Sequence, residues 1–393
     1  MTAIDLSVDA ARAALAPLRL GLSDDEAVDR YATAMWCQLV EPGDSVAGRV
    51  VATHGPVDAL ERLVAGAAFP DLTAREAVAA QKRWMPRLAP RGVTDAVRIA
   101  AARRVAFVTR RDAVWPTQLD DLQDHAPLCL WVRGDVSALT RLDPSIALVG
   151  ARAASGYGDL VARELAAELA GGGIPVVSGG AYGIDGAAHR AALSVGGTTV
   201  ALLAGGAERA YPAGHTQLID DIADTGLVVS EVPCGSAPTK WRFLQRNRLI
   251  AALTTATVVV EAGWRSGSLN TAGHAADLGR GLGAVPGPIT SPGSAGTHRL
   301  IRDYGAACIT GADDVRELLG LPTAAAERSG EARTDDSTRV RDALSNRVGR
   351  DAAEIARRAG MAVDEVRTLL GLLQLEGVVH VGVDGWRTTA GRG

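Results

Sequence analysis

From about residue 146 to residue 309 the chain repeats one pattern: a short apolar run, a turn of glycine, serine or arginine, and then a helical period. The apolar runs fall at 146–149, 175–178, 199–204, 227–231, 257–261 and 282–286. They are short and unbroken by polar alternation, as parallel strands buried on both faces must be. Helical runs at 159–170, 185–194 and 244–252 fill gaps between them. This alternation predicts an α/β fold, a Rossmann-like doubly wound, mostly parallel sheet. In such sheets a ligand sits outside the carboxyl ends of the strands, where these turns lie.

The flanks differ. Residues 1–100 are rich in alanine, leucine and arginine, with helical spacing at 25–40, 56–65 and 74–88 and glycine breaks at Gly43, Gly55 and Gly66. They predict an N-terminal helical domain. Short strands at 105–109 and 128–134 add to the sheet, giving a central domain over 101–320. Residues 321–336 are polar, alanine-rich and without an apolar period, and predict a linker. Residues 337–393 predict a winged-helix domain: a helix ending at Gly360, a second at 363–376, and a hairpin turning at Asp384-Gly385.

Bulk properties exclude several classes. The net charge of −4 over 393 residues rules out a global polycation, so any nucleic-acid site is a local patch. No stretch has the length of a membrane span, and the first residues lack signal-peptide order. Cys37, Cys129, Cys234 and Cys308 form no Cys-x-x-Cys pair and read as thiols rather than disulfides or a zinc site. A cytoplasmic protein is expected.

The most specific chemistry begins at Lys240. Lys240, Arg242, Arg246 and Arg248 follow one another with no acid between Glu231 and Glu261. Phe243 and Trp241 offer rings beside them, and Ser266, Gly267 and Ser268 open the next helix. Its free N–H groups and dipole favour an anion. Only Lys82 and Lys240 are lysine among 41 basic residues, so Lys240 marks either a need for a compact ammonium or chance. Stacking beside phosphate contacts is how single-stranded nucleic acid is held without sequence preference.

Other turns carry weaker signals. Val149-Gly-Ala-Arg152 reads as a phosphate turn with a guanidinium fork, or as a tight turn with a surface arginine. Ser178-Gly179-Gly180 lets a ligand backbone come close, while Asp185 reads as a helix cap. Tyr182 either stacks on a base or covers its loop, and His189 reads as a packing histidine. The G-x-G-x-x-G fingerprint and a Walker sequence are absent, and Ser178 stands where an acid would hold a ribose. Glu208 and Glu261 are the carboxylates nearest these turns, and neither has a partner of opposed role. No histidine spacing suits a metal. The expectation is a site that holds rather than cuts: no catalytic residues, no metal and no cofactor.

These blocks, with Tyr211-Pro212, Gln245-Arg-Asn-Arg-Leu-Ile-Ala, Arg265-Ser-Gly-Ser-Leu-Asn-Thr-Ala, Ala284-Val-Pro-Gly and Gly296-Thr-His-Arg-Leu-Ile, resemble the DNA-processing protein A (DprA/Smf) family across about 105–310. The resemblance implies a homodimer that binds single-stranded DNA, protects it, and loads RecA recombinase during natural transformation. It places Arg152, Ser178, Gly179, Lys240, Phe243, Arg246, Asn247, Arg248, Ser266, Gly267, Ser268 and Thr271 in the DNA pocket. Arg152, Lys240 and Arg248 would hold phosphates, and Phe243 would stack. Leu244 departs from the family's usual proline, and His215 and His298 from asparagine. Two alternatives stand beside this. One is a winged-helix DNA-binding regulator with a ligand-sensing centre. The other is a nucleotide hydrolase of related fold, although Pro286-Gly-Pro and Arg265-Ser-Gly-Ser replace the catalytic Pro-Gly-Gly-x-Gly-Thr segment of such enzymes.

Overall fold

The computed structural model describes residues 4–323, 336–346 and 348–389. Six helices come first: α1 (Val8–Leu15), α2 (Asp24–Leu39), α3 (Ser45–His54), α4 (Pro56–Ala65), α5 (Ala74–Trp84) and α6 (Pro90–Ala102). Their starts follow from local chemistry. Ser23 accepts from the Glu26 N–H while the Glu26 carboxylate returns to the Ser23 N–H, and Thr73 with Glu76 repeats this box at α5. Pro56 and Pro90 open α4 and α6, where a missing N–H costs nothing. The apolar period extends the fifth helix to residue 88, but the α-helix stops at Trp84 and Met85–Arg87 tighten into a 3-10 turn. Pro86 has no N–H with which to continue the ladder.

The sheet has nine strands in the order β1-β2-β6-β5-β4-β3-β7-β8-β9. The outer β1 (Val105–Thr109) and β2 (Cys129–Gly134) are antiparallel to each other, and β2 is antiparallel to β6 (Leu227–Ser230). The other neighbours are parallel: β3 (Ile146–Gly150), β4 (Val176–Ser178), β5 (Thr199–Leu203), β6, β7 (Ala256–Glu261), β8 (Gly281–Ala284) and β9 (Ala307–Cys308). Every residue of β5 and β7 is buried, which explains their largely apolar sequences. Edge strand β9 is two residues long, too short for a sequence period to announce.

The early helices pack onto the sheet rather than around a core of their own. Met35, Trp36, Leu60 and Trp84 join Phe107, Trp131, Ile219 and Val228 in one apolar cluster. Residues up to Leu321 form one compact unit, and the composition change near residue 100 falls inside it. The expected linker falls mostly on 324–335, outside the described residues.

The second unit begins at Pro322. Helices α14 (Asp336–Ala343), α15 (Ala352–Ala359) and α16 (Val363–Leu375) and the strands β10 (Val379–Gly382) and β11 (Gly385–Thr388) enclose Ile355, Val366 and Leu370 in the outline of a winged helix. The hairpin register pairs Gly382 with Gly385, so its turn is Val383-Asp384, one residue earlier than the sequence suggests. Gly385 instead lets the strand lie against Arg350, whose carbonyl oxygen would sit 2.6 Å from an added Cβ.

Candidate nucleic-acid interface

The sheet order places a topological switch between β3 and β7. From β3 the chain turns through α7 (Gly156–Gly171) toward β4, and from β7 through α11 (Ser268–Asp277) toward β8, on the opposite side. Connections that diverge leave a crevice at the carboxyl ends. A cavity of about 180 Å³ opens there. Its walls come from Gly150 at the end of β3 and Arg152 just beyond it, from Phe243, Arg246 and Asn247 on α10 (Lys240–Leu253), and from Ser266, Gly267, Ser268 and Thr271 after β7. Residues far apart in sequence thus meet where the topology requires.

Two of the expected phosphate cations remain free. Lys240 and Arg152 are exposed and have no ion-pair partner among the described residues. Lys240 stands at the first position of α10, which Thr239 caps by accepting from the Arg242 N–H at 3.2 Å. The Arg152 guanidinium lies 5.0 Å from the centroid of the Phe243 ring, and Phe243 meets Tyr211 at 5.4 Å. Phe243 keeps its place in the cavity wall with Leu244 beside it. Ser266 and Ser268 join their hydroxyls at 2.8 Å, and α11 begins at an uncapped Gly267. The N–H groups of its first turn, expected from the sequence to face an anion, are already engaged: Ser268 donates to the Ser266 hydroxyl at 3.4 Å, Leu269 to the Ser266 carbonyl at 3.2 Å and Asn270 to the Gly267 carbonyl at 3.1 Å.

Arg248 is a correction. It is almost wholly buried, donating to both oxygens of Glu231 at 2.7 and 2.6 Å and to the His125 carbonyl at 2.8 Å. Arg242 likewise pairs with Glu41, both contacts at 2.9 Å. The basic run is therefore neutralised in part by an acid at its own boundary and by one 201 residues away.

Arg246 forms the floor. It is buried, donates to the carbonyls of Gly179 and Leu202, and touches Asn247 Oδ1 at 3.2 Å. Burial pushes its pKa down to about 10, against the pull of Asp185, so it stays charged at neutral pH. Gly179 makes room for it: an added Cβ would lie 2.2 Å from Arg246 Nη1. Asp185, whose carboxyl burial pushes up, accepts from the N–H groups of Gly179 and Ala181 rather than capping its helix. Those donors are spent inside the protein. Ser178 is fully buried and donates to the Leu148 carbonyl at 2.6 Å, tying β4 to β3. Asn247 donates to Asn270 Oδ1 at 3.2 Å and so joins α10 to the start of α11. Arg246 and Asn247 line the crevice, Ser178 and Gly179 support it from outside the lining, and Lys240 lies outside the lining as well.

The remaining polar groups have structural roles. Glu261 accepts from the Ser155 N–H at 2.9 Å, and Glu208 accepts from the Gly235 N–H at 2.9 Å. His189 contacts Thr199 Oγ1 at 2.7 Å, and burial pushes its pKa down to about 3. Among the described residues no group of three His, Cys, Asp or Glu side chains could hold a metal ion, and no described helix is long and apolar enough to cross a membrane. Arg265, exposed beside Ser266 and without an ion-pair partner among the described residues, is a third free cation at the rim. Its sequence signal was its place directly before the Ser-Gly-Ser turn.

Comparison with known proteins agrees with this construction. Residues 106–320 match the family model described as DNA recombination-mediator protein A, and residues 323–385 match the DprA winged helix domain. The putative DNA processing protein DprA of Mycobacterium tuberculosis (strain H37Rv) is 39% identical over 376 residues, covering 91% of this chain and 93% of the relative. Protein Smf of Escherichia coli (strain K12) is 38% identical over 67% of this chain and 72% of its own length. The solved structure of DNA processing protein A from Streptococcus pneumoniae superposes with a TM-score of 0.59 at 30% identity, covering 73% of this chain and 97% of that one. With its sheet and its winged helix both matched, the chain belongs to the DNA-processing protein A (DprA/Smf) family.

Proposed function

We propose that this protein binds single-stranded DNA without sequence preference in the crevice between β3 and β7. It shields the strand and passes it to RecA recombinase during uptake of transforming DNA, acting in the cytoplasm as a homodimer without cofactor or bond cleavage. One observation carries the binding step. At the switch point an unpaired cation (Arg152) braces a ring (Phe243) in the wall of a cavity of about 180 Å³, and a second unpaired cation, Lys240, opens the helix that carries the ring, outside the cavity lining. Phosphates need the cations, bases the ring, and neither contact reads sequence. RecA loading and dimerisation rest on family membership.

Fluorescence anisotropy with labelled single- and double-stranded oligonucleotides of equal length tests the binding step. The wild type should prefer single strands strongly, and Lys240→Glu should lose that preference. Equal duplex binding, untouched by Lys240→Glu, would move the DNA contact to the winged helix and overturn the reading. Faster RecA filament growth on strands bound by the wild type, absent with Lys240→Glu, would support the handover.

A further inference from the structure

Aromatic side chains are few in this protein, and their placement is uneven. In residues 4–321 those outside the core are Tyr157, Tyr182, Tyr211, Trp241, Phe243, Trp264 and Tyr304. All lie in connections leaving the carboxyl ends of parallel strands: β3, β4, β5, β6, β7 and, for Tyr304 at the end of its helix, β8. The rest of that unit's surface is almost bare of rings. Exposed rings confined to one edge of a sheet mark a binding surface more than a packing accident.

Two ring clusters on this edge are braced by arginine. One is Tyr211, Phe243 and Arg152, already part of the crevice. The other lies on the far side of the Ser266-Gly267 turn. There the Arg299 guanidinium sits 5.1 Å from the centroid of Trp264 and 5.5 Å from that of Tyr304. Arg299 also donates to the Tyr304 hydroxyl at 3.1 Å, and its nearest carboxylate oxygen, on Asp303, is 3.8 Å away. The arginine is thus held against two rings, while the Trp264 indole remains 56% exposed.

We propose that Trp264 and Arg299 form a second base-stacking subsite for the same single strand. The proposal rests on the single-strand reading above. The strand crosses the carboxyl edge of the sheet at right angles to the β-strands, entering near Phe243 and leaving over Trp264. Phe243 stands against Arg152, which follows β3, and Trp264 follows the neighbouring β7, so the two rings lie about one to two strand spacings apart, about 5–10 Å. With stacked bases about 3.4 Å apart, about three or four nucleotides reach from one ring to the other. An oligonucleotide too short to reach from Phe243 across the turn therefore gains nothing from Trp264, whereas a longer one does.

Labelled oligothymidines of about two and about twelve nucleotides separate these cases. Trp264→Ala and Arg299→Ala should each weaken the longer strand by about tenfold and the shorter by less than about twofold. Trp264→Phe, which keeps a ring, should bind the longer strand like the wild type. Binding of the longer strand should also quench a component of tryptophan emission that is missing in Trp264→Phe. Wild-type affinity of Trp264→Ala for both lengths, with the same quenching, would overturn the subsite, as would equal weakening at both lengths. Either result leaves the crevice reading intact if Phe243→Ala still weakens both. Failure of the wild type to bind either strand would overturn both.

Discussion

Arg248→Ala separates the scaffold from the interface. In the wild type its guanidinium donates to both Glu231 oxygens, to the His125 carbonyl and, at 2.9 Å, to the Gln245 carbonyl. The Arg248 side chain is 3% exposed and that of Glu231 12%. Alanine removes the cation and leaves a carboxylate with little water. Breaking such a pair from one side costs about 3–5 kcal/mol, because the surviving charge has no partner. Taking about 4 kcal/mol and a urea m-value of at least about 3 kcal/mol/M, the unfolding midpoint of this unit falls by up to about 1.3 M. The double variant Arg248→Met with Glu231→Leu removes both charges and should recover most of the loss. Below its new midpoint, Arg248→Ala should bind single-stranded DNA within about twofold of the wild type, since the side chain does not reach the cavity. Urea melts followed by circular dichroism, with anisotropy at low urea, measure both quantities. An unchanged midpoint with about tenfold weaker binding would refute the argument and return Arg248 to the phosphate contacts.

Other outcomes follow from the same geometry. If Arg152, Lys240 and Arg265 are the cations that meet phosphates, the plot of log affinity against log salt has a slope near −2, from about −0.7 per contact; a slope near zero would exclude phosphate contacts here. Glu41→Gln frees Arg242, so single-strand affinity should rise and the slope steepen by about 0.7; an unchanged slope would mean that Arg242 cannot reach the strand. His189 takes up its proton at about 3 in the folded state against 6.5 ordinarily, so the unfolded state binds more protons between these values. Its contribution is intact above about pH 6.5 and is lost as pH falls toward 3, with a slope of at most about 1.4 kcal/mol per pH unit. Urea melts from pH 4 to 7 should show a flatter acid limb for His189→Gln, and identical limbs would show that another group controls it.

The sheet was legible because its signal is local. A parallel strand buried on both faces spells out its burial in consecutive residues, as in the all-buried β7, and the turn that follows begins where that run ends. The partners of charges are not local. Nothing near Arg242 announces Glu41, and the acid that occupies Arg248 is the boundary residue Glu231, 17 positions earlier and across the crossover from strand to helix. A basic run therefore overstates the free charge on a surface until the fold brings its acids in. Glycine carries a similar ambiguity. The Ser178-Gly179-Gly180 turn correctly signals that something approaches the backbone closely, but chain geometry alone does not say whether that is a ligand or the protein. Here it is Arg246, 67 residues later, whose guanidinium fills the space a Cβ would need and takes the Gly179 carbonyl as its acceptor. The glycine lets a buried charge stand at the floor of the crevice, where Arg152 and Phe243 form the wall above it.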